Sequence, residues 1–273
     1  MYESNYRALA FDENAEAPEV GFRDNFVISL KNAFSVRGII GMVASVITIL
    51  VLVYLQDYLN GLLAERGTPI SLPLLALMMI AIPVWTVANA SRASLKKKQL
   101  LNASETAGIL GRYVGAVLGA TLTMIPAFAT IIICMFVIKG IIPMAILESF
   151  AVMAAFSALV CAMTMMFNTR VKMAGALTFL VVFVIVPLVV FLIGPFTGLL
   201  DLGTICGVIP LVDTISAIGT NGFEGLTVLT LCTLLAPVSS VPTDLIVDIL
   251  LPVSWALVFL GLTVFLQFRR ENQ

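Results

Sequence analysis

Residues 91–112 read SRASLKKKQLLNASETAGILGR, the only strongly polar interval between the first membrane-length apolar run and the C-terminus. Arg92 and Lys96, Lys97 and Lys98 form a basic cluster just after one apolar run, and Arg112 stands just before the next. A short loop this rich in Lys and Arg belongs on the cytoplasmic side of a bilayer. Within it, Asn102 followed three residues later by Glu105 makes a capping-box-like start, the amide accepting from backbone N–H groups and the carboxylate reaching back. A helix is therefore expected to begin near Ala103, in the cytosol, and to run on into the membrane.

Composition points the same way. The chain of 273 residues is 60% hydrophobic and 11% charged, with a mean hydropathy of +1.08, and no soluble globule could keep such a surface free of apolar patches. The apolar runs are continuous and near bilayer length rather than short and alternating, so the spans are read as helices and not as barrel strands. The expected class is an all-α integral membrane protein with six transmembrane helices and both termini cytoplasmic. Nothing in the charge pattern suggests nucleic acid as a partner.

Outward from the loop, residues 1–24 carry six acids (Glu3, Asp12, Glu13, Glu16, Glu19, Asp24) against Arg7 and Arg23. This is read as an acidic cytosolic tail, since a cleavable signal would need a basic start and an apolar core. Residues 25–37 place Phe26, Leu30, Ala33 and Phe34 on one helical face. That pattern suits an amphipathic helix lying in the interface plane, the alternative being a cytosolic extension of the first span. The spans follow at about 38–56, 70–90, 113–137, 143–168, 173–193 and 249–268. Residues 194–247 break into short apolar pieces among Gly, Pro and single acids, read as short helices at or dipping into the outer face, and 269–273 form a cytosolic end. With this topology only Arg66 and Lys139 of the 15 Lys and Arg fall outside, leaving 13 inside.

Within the spans, Gly111, Gly115 and Gly119 recur at four-residue spacing, so three missing side chains line one face and let another helix approach closely. Glu148 sits one or two turns inside the fourth span; an acid at that depth either hydrogen-bonds a neighbouring helix or faces a wet cavity with a substrate or proton role. The four cysteines make no CxxC pair, and Cys206 and Cys232 would join only if both face an oxidising compartment. The lysines at 96–98 serve either as a topological anchor at anionic headgroups or as a partner contact.

Catalytic machinery is missing. The sequence has no histidine, which removes His-ligated metals and His bases, and no GxxxxGK[ST], HExxH or GxSxG motif. The expectation is a conduit or scaffold, not an enzyme, with no cofactor or metal in this chain.

An amphipathic entry helix, six spans, a basic loop between the second and third, and a long outer segment before the last resemble the membrane subunit of type-2 ATP-binding-cassette (ABC) exporters. The most specific local likeness is SETAGILGR, Ser104–Arg112, similar to the family's Ser, apolar turn and Gly-Arg or Gly-Lys at the start of the third span. MFNTRVKMAGALTF, between the fourth and fifth spans, is similar to its short inner connection. The family's usual Pro before the Ser is replaced here by Asn102-Ala103, and the acid often three residues after it is Ala107, with Glu105 nearby. The resemblance implies a dimer of permease subunits, of the same or related chains, in a prokaryotic plasma (inner) membrane. Each would receive a separate P-loop ATPase that binds ATP and Mg. Asn102, Ser104, Glu105, Thr106, Gly108 and Arg112 would then form the coupling element. The alternative is a polytopic scaffold that docks partners through its acidic tail and basic loop without transporting anything.

Overall fold

A computed structural model describes residues 21–64, 73–94, 106–140, 144–185 and 242–271. The regular elements there are all helices: α1 (Phe22–Ala33), α2 (Val36–Ala64), α3 (Pro73–Ser94), α4 (Thr106–Lys139), α5 (Met144–Asn168), α6 (Ala174–Leu180), which passes into a π-helical turn at Val181–Ile185, and α7 (Pro242–Glu271). Three stretches are long and apolar enough to cross a bilayer, Thr106–Cys134, Phe150–Asn168 and Pro252–Arg269. Phe22–Ala33 with Val36–Val51 makes a fourth if that pair, bent by 45°, is one span. The all-helical class and the presence of bilayer-length helices agree with the sequence reading.

Helix ends differ from the expected ones for local reasons. α2 runs past Asp57 to Ala64, through Asn60 and Gly61, because the flanking Tyr and Leu tolerate a helix, a single internal Gly costs only about 1 kcal/mol, and the Gly67–Pro69 pair comes only later. α3 continues past Ala90 to Ser94, whose hydroxyl folds back onto the Ala90 carbonyl at 2.7 Å. α4 has 34 residues, roughly 51 Å at the α-helical rise, against about 30 Å of hydrocarbon. It therefore projects beyond the lipid core. α7 begins at Pro242 and carries Asp244 and Asp248 in its first two turns, an arrangement suited to the positive end of a helix. Of the expected fifth span, 186–193 lie outside the described residues, as do 194–241 with Cys206 and Cys232.

α5 is the centre of the bundle, packed against α3, α4, α6 and α7. Its apolar stretch is 72% buried, against 22% for that of α7. Phe156, Met153 and Val152 have less than 2% of their surface exposed, and Phe128 of α4 meets Phe150 edge-on with ring centroids 5.3 Å apart. The outside is equally apolar: Ile40, Val43, Ile47 and Val51 of α2 and Leu257, Val258 and Phe265 of α7 are exposed. In water such a belt would aggregate; in lipid it is the protein's ordinary boundary.

α1 covers most of the segment 25–37 that was expected to form an interfacial helix, and it packs on α4. Its buried residues are Asn25, Ser29, Asn32 and Ala33, while Phe22 and Phe34 are exposed and Phe26 and Leu30 are half-buried. The polar stripe thus faces the bundle and the aromatic stripe faces out. The seat is the glycine row of α4. A Cβ on Gly111 would stand 2.9 Å from the Phe22 Cα, one on Gly115 3.0 Å from the Phe26 Cα, and one on Gly119 2.5 Å from the Ala33 Cβ. These pairs ascend together, so α1 lies along α4 in the same direction. Without side chains at the three glycines the backbones come into contact.

Candidate functional site

The loop after α3 and before α4 is closed at its base by one buried side chain. Arg112, on the second turn of α4, has 7% of its surface exposed and donates from Nη2 to the Ser94 carbonyl, the last residue of α3. A helix leaves its final carbonyls without intrahelical donors, and a guanidinium supplies both a donor and a charge that suits the negative helix end. The two ends of the loop are therefore tied together, and through Gly111 and Gly115 the same segment of α4 holds α1.

Beside this tie, hydroxyls link three helices at one level. Thr164 of α5 lies 3.4 Å from the Ser91 hydroxyl of α3 and 3.0 Å from that of Thr178 on α6, and Thr178 donates to the Ala174 carbonyl at 2.9 Å. The Cys161 thiol reaches the Ala90 carbonyl at 3.6 Å, and the Tyr113 hydroxyl donates to the Ala158 carbonyl at 3.4 Å. The last turn of α3 is thus held by α4, α5 and α6 together. A displacement of the loop base is felt by all of them.

Arg92, two residues before the tie and so about half a turn round, points to the other side of α3. Its Nη1 comes within 3.8 Å of where a Cβ would stand on Gly38 and on Gly41 of α2. Burial, and then the like charge of Arg37, push its pKa below the ordinary arginine value. It remains a cation throughout the physiological range.

Of the residues singled out from the sequence, Asn102, Ser104, Glu105 and Lys96, Lys97 and Lys98 lie outside the described residues. Thr106 is exposed at the start of α4, Gly108 is buried and Arg112 is buried on the loop tie. Gly111, Gly115 and Gly119 are buried together under α1. Glu148 belongs to α5, but its side chain is outside the described set. The structure brings Arg112 and the three glycines into one assembly with α1, with Phe26 and Leu30 half-buried, the Leu30 side chain beside Gly119, and Phe34 exposed. Sequence reasoning missed Ser94 as the acceptor of Arg112 and passed over Gly38, whose missing side chain leaves room for the Ala33 carbonyl. It also missed the buried row Asn25, Ser29, Asn32, whose i, i+4, i+7 spacing was the available signal.

No protein-family model matches this sequence, and no curated protein and no solved structure is significantly similar to it.

Proposed function

We propose that the chain is the permease subunit of an ABC exporter, a six-span protein of a prokaryotic plasma membrane with both termini in the cytosol. It forms half of the transport path and couples to ATP hydrolysis by a separate P-loop ATPase through the loop 91–112. The observation that carries this reading is the closed loop base: Arg112 of α4 bonded to the end of α3, with α1 clamped on the same turns of α4. A loop free at its ends would absorb a partner's push by bending. One tied at its base transmits it to α3, α4 and α1 as a unit, and the hydroxyl chain passes it on to α5 and α6. The absence of catalytic motifs from the sequence and the apolar character of its spans are consistent with a conduit whose energy comes from another chain.

The test is purification from native membranes in mild detergent, with identification of co-eluting proteins and an ATP hydrolysis assay. A P-loop ATPase near one-to-one, released or uncoupled by Glu105→Arg or Ser104→Trp, is the expected result. Elution without an ATPase, together with loop substitutions that change nothing, would sink the transporter reading and leave the partner-docking scaffold in its place.

A further inference from the structure

The outward side of α2 carries a second feature, separate from the loop tie. Arg37 stands on the first turn of that helix and is exposed. Ile40, Ala44, Ile47 and Val51 follow it at steps of three and four residues, which sets all five on one helical face, and every one of them is exposed. The three large ones show 61%, 54% and 55% of their surface. Gly38, Ser45 and Ile49 are buried on the other side of the helix. The open face is thus a cation followed by an unbroken apolar stripe, roughly 21 Å long at the helical rise.

The charge there has one sign. Between Asn25 and Gln56 the charged residues are Lys31 and Arg37 alone, with no Asp or Glu. Arg37 also stands at the right depth, because the polar residues Lys31, Asn32 and Ser35 precede it and the apolar run begins behind it. Half of a hydrocarbon core of about 30 Å is about 15 Å, or roughly ten residues of helix, so one leaflet reaches from Arg37 to Ile47. An apolar stripe alone accepts any lipid. A guanidinium at its head adds a charge-assisted fork for phosphate, and it favours a lipid of net negative charge over a zwitterionic one, which brings its own ammonium to the same place. Arg23 offers no such arrangement: Asp24 adjoins it, and Phe26, Val27 and Leu30 along its face are half-buried.

We propose that this face of α2 binds a single anionic phospholipid, with the phosphate on the Arg37 guanidinium and an acyl chain along Ile40, Ala44 and Ile47. The site requires only that α2 sit in a bilayer, and it stands whether or not the chain is a permease.

The experiment puts a fluorescent reporter in the stripe. In the full-length chain carrying Trp85→Phe and Trp255→Phe, Ile47→Trp supplies the sole indole. The protein is reconstituted in phosphatidylcholine vesicles with a rising fraction of phosphatidylglycerol brominated on its acyl chains, which quenches an indole on contact; brominated phosphatidylcholine is the reference. Quenching shows about a fivefold preference for phosphatidylglycerol, the attraction of one basic residue to an anionic surface. Arg37→Gln removes that preference, and because Arg37 is exposed the variant stays folded. Arg23→Gln, the loss of an equally exposed cation, changes it less than about twofold. Equal losses for Arg23→Gln and Arg37→Gln, or no preference at all, overturn the proposal and leave only a diffuse surface potential. Failure of either brominated lipid to quench also overturns it, and shows the stripe to be covered by a second copy or another protein.

Discussion

A buried arginine at the mouth of an apolar helix is tolerated only if its donors are used, and Arg112 uses one on a backbone carbonyl that has no helical partner. Arg112→Met removes the donor and leaves the Ser94 carbonyl buried; the loss is about 1.5–3 kcal/mol, the range for a hydrogen bond to a charged group. Part of that is offset because the variant no longer buries a charge. Thermal melting in detergent checks it, with Arg269→Met as the control: Arg269 is exposed, so its loss changes stability by less than about 0.5 kcal/mol. Gly115 works in the opposite sense, by lacking a side chain. Gly115→Leu drives a branched chain into the α1 backbone and lowers stability by about 1–3 kcal/mol. It also lets the unseated α1 open around Arg23 and Lys31, whose side chains are already exposed, so that trypsin reaches the backbone there. Faster cleavage at those two sites, with α4 and α5 still protected, is the expected digest; an unchanged digest would show that α1 is held by something other than the glycine row.

The pairing of α1 with α4 also predicts a cross-link. In a chain stripped of its natural cysteines, Ala33→Cys with Gly119→Cys forms a disulfide on mild oxidation, since the two Cβ positions are already adjacent and need only relax to the ordinary separation. Phe34→Cys with Gly119→Cys does not, because Phe34 is exposed on the outer side. Electrophoretic mobility with and without reductant reads both. Half of this pairing was legible in the sequence. Three glycines at four-residue spacing announce a close-approach face on α4, but the helix that fills it lies more than eighty residues earlier, and spacing along one helix carries no address for its partner. α1 itself shows two stripes, one aromatic and one polar. Which of them turns inward cannot be read from pattern, because lipid is as apolar as Phe and offers no hydrophobic bias between the two. Arg112 was legible as a cation at the loop, but its acceptor is a main-chain oxygen, which no side-chain pattern marks. The bilayer-length runs stood out best, since twenty apolar residues have few other readings.

For the molecule as a whole, α5 acts as a measuring rod. Its 25 residues reach roughly 37 Å at the helical rise, long enough to set Gly140, just before it, and Lys172, just after it, on opposite sides of a bilayer about 30 Å thick. With Arg170 and Lys172 inside, Gly140→Cys is labelled by an impermeant maleimide from outside in intact cells, and Lys172→Cys only in inside-out vesicles; the reverse pattern would invert the topology proposed above. The glycine seat has a further consequence, in time rather than space. Translation delivers α1 first, and at about 5–20 residues per second its groove on α4 emerges some 4–16 seconds later. During that interval the newborn helix lacks its seat on the glycines. A segment made early is therefore packed late, and every chain waits for α4 before its first helix is fully housed.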